Sequence, residues 1–254
     1  MPLLEVRDLS VRFGGVVALD RVSFTVGSGE VVALIGPNGA GKTTLFNVVT
    51  RVYRPSSGSV LIDGEPVSRM APHQVVRHGL ARTFQNVALF RSMTVLENVM
   101  VGDHIRTRGG WLESTIPTPR AVRAETAARQ RAMDMIDFVG LGAVATRPVA
   151  LLPFGTQKRV ELARALVSKP HLLLLDEPAG GISHEEVDAM ARLLRRIHDE
   201  FNVTSLLVEH HMAFVMGISD RVVVLDFGRK IAEGSPSEVR SNPAVIEAYL
   251  GAAS

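Results

Sequence analysis

The apolar positions along this chain change period twice. Val31-Val32-Ala33-Leu34-Ile35 is apolar on both faces, the pattern of a strand buried inside a parallel sheet. Shorter β-prone runs at residues 4–6, 22–26 and 60–62 accompany it, and Asp63-Gly64 marks a tight turn. From about Thr94 to Leu166 the pattern is helical. Thr118 is predicted to cap a helix with Pro119 at its first position, and Gly140 to stop it after Met135, Ile136 and Val139. A loop is predicted from Trp111 to Pro119, following Gly109-Gly110. Apolar strands return at residues 172–175, 205–208 and 222–225. Between the first two lies a helix carrying Met190, Leu193, Leu194 and Ile197. Strand–helix alternation of this kind predicts an α/β parallel sheet interrupted by an all-helical insertion.

Composition narrows the picture by exclusion. At 254 residues the chain is long enough for one substantial core with a subsidiary lobe. A hydrophobic content of 46% with 21% charged residues is globular rather than disordered. No run of eighteen apolar residues exists to span a bilayer. The first residues, Met1-Pro2-Leu3-Leu4-Glu5-Val6-Arg7-Asp8, lack the basic-then-apolar order of a signal peptide. Zero cysteines exclude disulfides and thiolate metal sites and fit a reducing cytoplasm. The net charge, 28 − 26 = +2, is too small to imply nucleic acid. A dense basic group at residues 120–131 falls on helical spacing and is read as a solvated face.

Two segments carry chemistry. Gly36-Pro37-Asn38-Gly39-Ala40-Gly41-Lys42-Thr43 matches G-x-x-x-x-G-K-[ST] in full, with a buried strand before it and helix-compatible residues from Thr44 after it. Glycines there let backbone N–H groups turn inward around phosphate oxygens, at the positive end of the following helix. Lys42 would neutralise terminal phosphates, and the Thr43 hydroxyl would ligate Mg²⁺. By itself this loop predicts only a nucleotide-binding protein. The second segment, Leu172-Leu173-Leu174-Leu175-Asp176-Glu177, is a buried strand ending in two acids. Successive strand residues face opposite ways, so Asp176 is suited to a Mg²⁺ shell and Glu177 to activating a water.

Further motifs lie in an order that identifies a family. Gln85 stands where the first lobe meets the helical region. Leu152-Pro153-Phe154-Gly155-Thr156-Gln157-Lys158-Arg159 opens a helix shortly before the acidic strand. His210 follows the strand at residues 205–208, directly after Glu209. Taken singly, Gln85 reads as a loop amide, His210 as a strand-end side chain and Phe13 as a core aromatic. Together with the loop and the acids they resemble the Q-loop, signature, Walker B strand and switch histidine of ABC-type ATPases, and Phe13 sits where that family stacks a ring on adenine. The resemblance covers almost the whole chain. It implies one ABC ATPase domain over residues 1–254. Residues 1–86 and 166–254 would form a P-loop NTPase (RecA-like) core with a small antiparallel β-subdomain, and residues 87–165 the inserted helical subdomain. It implies ATP and Mg²⁺ held by the loop from Gly36 to Thr44, with metal contacts from Thr43, Gln85 and Asp176. Catalysis would fall to Glu177, His210 and Gln85. Gly155 would bind the γ-phosphate held by a second ATP-binding subunit in a head-to-tail dimer.

Gly79-Leu80-Ala81-Arg82-Thr83-Phe84-Gln85-Asn86, Met93-Thr94-Val95-Leu96-Glu97-Asn98-Val99 and the tail from Ile231 to Gly251 resemble ATPases of branched-chain amino acid importers. That subfamily implies transmembrane permease subunits, an extracytoplasmic substrate-binding protein and a peripheral place on the cytoplasmic face of the cell membrane. Related cassettes serve urea, amides and other amino acids, and soluble ABC ATPases form a separate alternative. The chain departs from the general family pattern at several positions. Pro153 stands for Ser, Phe154 for Gly, Thr156 for Gln, Ser183 for Asp or Asn, and His211 for Asp. Pro153 can offer neither hydroxyl nor backbone N–H to a phosphate.

Overall fold

A computed structural model describes residues 2–83, 87–104 and 118–251. In chain order its strands are β1 (Pro2–Phe13), β2 (Val16–Gly27), β3 (Val31–Ile35), β4 (Ser57–Ile62), β5 (Glu65–Pro66), β6 (Leu80–Arg82), β7 (Leu172–Asp176), β8 (Thr204–Val208), β9 (Arg221–Asp226) and β10 (Arg229–Gly234). The helices are α1 (Lys42–Val49), α2 (Pro72–Arg77), α3 (Val95–Asp103), α4 (Pro119–Phe138), α5 (Phe154–Leu166), α6 (His184–Phe201), α7 (Met212–Ile218), α8 (Pro236–Arg240) and α9 (Pro243–Gly251). The chain divides into two units. One holds residues 1–80, 171–180 and 184–254, and the other holds residues 81–170 and 181–183.

In the first unit, β2-β1-β4-β5 form an antiparallel sheet. The strands β1 and β2 run well beyond the short segments their alternation predicts, and the register explains why. Leu4 and Val6 are buried, then Leu9 and Val11; the inward phase flips between them. Asp8, at φ 45°, lies in that register shift. An extra residue in one strand moves every later side chain to the opposite parity. Arg21, at φ 51°, separates Leu19 from Val22, Phe24 and Val26 in β2, where the same flip of parity occurs.

Also in the first unit, a second sheet runs β10-β9-β3-β8-β7. The strands β7, β8, β3 and β9 are mutually parallel, and β10 returns antiparallel to β9. All five residues of β3, of β7 and of β8 are buried, as central strands covered on both faces require. Helix α1 seats Leu45, Phe46, Val48 and Val49 in the same core as Leu34, Leu174, Leu206 and Val223. Helix α6 buries Val187, Met190, Leu194 and Ile197, one stripe at helical spacing.

Arg221 of β9 fastens β2, β10 and the turn that leads into β3. Its guanidinium donates two hydrogen bonds to Glu30, from Nε to Oε1 and from Nη2 to Oε2, each at 2.8 Å. It also donates to the Thr25 carbonyl at 2.7 Å and pairs with Glu233. Burial by itself would raise the Glu30 carboxyl, but Arg221 and the Gly27 N–H overcome it and hold the group below its ordinary range. A carboxylate depressed on folding stabilises the native state above its unfolded pKa. That contribution is lost as pH falls through the folded one. Arg221→Ala is therefore expected to lower unfolding stability by about 1–3 kcal/mol at neutral pH, for a partly screened bidentate pair. The difference from wild type should shrink in acid, as read by urea melts at pH 7 and pH 3.

In the second unit, Thr118 caps α4 by accepting the Ala121 N–H at 3.1 Å, with Pro119 at the first helical position and Gly140, at φ 75°, just past the end. Arg123 and Arg129 of the basic group are exposed, while Arg131 makes a two-pronged pair with buried Asp103. The helices α3 and α5 approach closely at Gly102, where a Cβ would meet the Arg164 carbonyl at 2.0 Å. Short 3₁₀ turns at Gly142–Val144 and Val149–Leu151 interrupt the helical region before α5. Among the described residues no helix is long and apolar enough to cross a membrane.

Candidate functional site

The parallel register places three chain ends at one level. Leu34 of β3 and Asp176 of β7 both pair with Val208 of β8, so the loops leaving those strands start side by side. Carboxyl ends of parallel strands are where open α/β sheets bind ligands.

From β3 the chain enters the glycine loop. A Cβ at Gly36 would meet the Leu225 carbonyl at 2.1 Å, and one at Gly41, at φ 100°, would meet the Ala18 carbonyl at 2.6 Å. Only glycine permits both the conformation and the close approach. Gly39, at φ 83°, has nothing within 4 Å of its Cβ position, so the loop is open there. Gly41 is the N-cap of α1 and offers no side chain to the first-turn N–H groups, which remain directed at an incoming anion. Lys42 Nζ folds back to donate to the carbonyls of Gly36 at 2.6 Å and Pro37 at 2.9 Å. Partial burial lowers the Lys42 pKa, while the carboxylates of Glu177 and Asp176 act the other way and favour the ammonium.

Asp176 is buried as the last residue of β7. Glu177 has left the strand. Its φ is 49°, its N–H donates to the Val208 carbonyl at 2.9 Å, and its own carbonyl accepts from Gly180 at 3.0 Å. The two acids are separated by this left-handed turn, not by strand alternation as their adjacency predicts. His210 Nδ1 lies 4.0 Å from Glu177 Oε1. The imidazole of His211 lies beside that of His210, with ring centroids 4.9 Å apart.

Phe13, at the end of β1, is exposed rather than part of the core. Its ring meets Tyr53 edge-on at 5.2 Å between centroids. Tyr53 carries no motif in the sequence; an aromatic a few residues past the loop's helix was the only signal. Gly155 is buried in the first turn of α5, whose N-cap Pro153 makes no side-chain cap. Phe154 packs near Gly181, whose Cβ would meet the Phe154 ring at 3.1 Å. Gln85 lies outside the described residues.

Glu209 is the site residue the sequence did not single out. It is fully buried, and its carboxylate accepts N–H groups from Ala179 at 2.9 Å, His210 at 2.8 Å and His211 at 3.0 Å. Nothing in the local sequence announces bonds that reach thirty residues back.

A glycine loop between a buried strand and a helix, its strand level with the one that ends in Asp176, defines a P-loop nucleotide site. The ABC transporter family model matches residues 19–180, and a branched-chain amino acid ATP-binding cassette transporter model matches residues 229–254. The chain is 43% identical over 252 residues to the high-affinity branched-chain amino acid transport ATP-binding protein BraF of Pseudomonas aeruginosa, covering 99% of each. It shows the same identity and coverage to LivG of Escherichia coli. Among solved structures it resembles a nucleotide-free ATP-binding cassette from an ABC transporter, with TM-score 0.85, 30% identity and 98% and 99% of the two chains covered. It also resembles a cassette in its ADP conformation, with TM-score 0.85, 31% identity and 99% of each chain covered. The chain belongs to the ABC transporter ATP-binding family, in the branch of the branched-chain amino acid transport proteins. It is an ABC transporter ATPase.

Proposed function

We propose that this chain hydrolyses ATP to drive branched-chain amino acid import, with the loop from Gly36 to Thr44, Asp176, Glu177 and His210 forming its half of the catalytic site. The observation that carries this reading is the register that sets the ends of β3, β8 and β7 at one level, with His210 Nδ1 4.0 Å from Glu177 Oε1. Loop N–H groups and Lys42 would hold the β- and γ-phosphates, and Phe13, braced by Tyr53, would offer its exposed ring to the adenine. Mg²⁺ fits the donor set, since the Thr43 hydroxyl and the Asp176 carboxylate, with the Gln85 amide, are hard oxygen ligands. When bound, it supplies charge neutralisation at the phosphates. Glu177 would accept a proton from the attacking water as its oxygen bonds to the γ-phosphorus and the bond to ADP breaks. His210 would orient the γ-phosphate against that water.

The whole chain would act as a single ABC ATPase domain. A second ATP-binding subunit would complete the site head-to-tail through a segment equivalent to that around Gly155, where the α5 N-terminus presents a positive dipole end. Two permease subunits would receive the stroke at the cytoplasmic face of the membrane, fed by an extracytoplasmic binding protein. The names of the full-length relatives support the amino acid assignment. The test is ATP turnover by the chain reconstituted with its permease subunits, partner ATPase and binding protein. Leucine is expected to stimulate turnover severalfold. Stimulation by urea and not by leucine would overturn the substrate assignment.

A further inference from the structure

We propose that Glu209 is a positioning residue that sets the distance between the base Glu177 and His210, and the inference rests on the catalytic reading of those two residues. Glu177 leaves β7 and His210 leaves β8, so their relative placement depends on what ties the two loops together. One tie is in the backbone, from the Glu177 N–H to the Val208 carbonyl. A second is the carboxylate of Glu209. Its Oε1 accepts the N–H of Ala179, two residues past Glu177, and its Oε2 accepts the N–H groups of His210 and His211. A single side chain therefore holds both loops by their backbones, and it does so at zero exposure.

Burying a carboxylate is costly unless each oxygen is hydrogen-bonded, and here both are, by backbone N–H donors. Nearby imidazole nitrogens lie farther off, His211 Nδ1 at 3.4 Å and His210 Nδ1 at 3.8 Å. The ligand atoms of Glu209, His210 and His211 lie within 4.8 Å of one another, as in a metal cluster. The amide bonds to both Glu209 oxygens assign that carboxylate to the backbone. The fit is one of length as well as charge. Aspartate would keep the charge on a side chain one carbon shorter, and glutamine would keep the length but turn an NH₂ toward an N–H donor.

The test uses Glu209→Gln and Glu209→Asp in the full chain, beside Glu177→Gln and His210→Ala, with kcat and the affinity for a fluorescent ATP analogue measured on each preparation. Both Glu209 variants are expected to bind the analogue within about threefold of wild type, while kcat falls about tenfold to a hundredfold, the scale of a misplacement near 1 Å. Combined with His210→Ala, Glu209→Gln should cost far less than it does alone, because the placed group is already gone. Wild-type kcat in both Glu209 variants, or a fully additive double variant, would overturn the assignment. So would binding and kcat lost in parallel. If instead Glu177→Gln and His210→Ala turn over ATP at the wild-type rate, the catalytic reading itself fails, whatever Glu209 does.

Discussion

Glu177→Gln is expected to abolish ATP turnover while leaving nucleotide binding intact. The substitution keeps the shape and the hydrogen-bonding reach of the side chain but removes its capacity to take a proton. Loss of a general base costs about 10²–10⁴ in rate, or roughly 3–5 kcal/mol of barrier. The backbone of Glu177 holds its left-handed turn through the Val208 carbonyl and the Gly180 N–H, bonds the substitution leaves alone. Geometry at the loop should therefore survive. ATP-dependent association with the partner ATPase should persist or lengthen, because the shared γ-phosphate is no longer removed. Steady-state hydrolysis together with size-exclusion chromatography in ATP reads both halves. Wild-type hydrolysis by the variant would refute the base assignment.

Lys42→Ala has the second large effect, on binding rather than turnover. Its ammonium donates to two carbonyls of its own loop and stands half-buried, beside a loop otherwise built of neutral backbone. Charge-assisted bonds to phosphate are worth about 1.5–3 kcal/mol each, so ATP affinity should fall by about tenfold to more than a hundredfold. Removing the ammonium also leaves the carbonyls of Gly36 and Pro37 without that donor. Titration adds a sign. Burial lowers the pKa of Lys42, so the wild-type loop loses its ammonium at lower pH than an ordinary lysine. ATP affinity should decline as pH rises through that lowered value. Lys42→Ala should remove this decline, which isothermal titration from pH 7 to pH 10 would detect.

The parts of this molecule that could be read along the chain are those whose meaning is contiguous. The glycine loop, the run ending in Asp176 and Glu177, and the cap at Thr118 each need only neighbouring residues to be recognised, and the fold follows from the strand–helix order. The rest depends on what the chain meets in space. The strands β1 and β2 exceed their sequence pattern because displaced residues at Asp8 and Arg21 break the alternation that marks a strand. Phe13 reads singly as a core ring, yet its exposure is set by where β1 ends. Tyr53 acquires a role only by lying edge-on to it. The role of Glu209 is not legible along the chain, since its partner at Ala179 lies thirty residues away. The separation of Asp176 from Glu177 likewise arises from a left-handed turn that strand alternation does not contain.

On the proposed function, the site formed by the glycine loop, Lys42 and Glu177 is the engine of amino acid uptake. The measurement is labelled leucine uptake, with ATP hydrolysis recorded in parallel, in vesicles carrying the permease subunits, the partner ATPase, the binding protein and this chain as wild type or Glu177→Gln. Leucine flux and hydrolysis are predicted to fall together in the variant. Leucine uptake that continues while hydrolysis is lost would contradict the account.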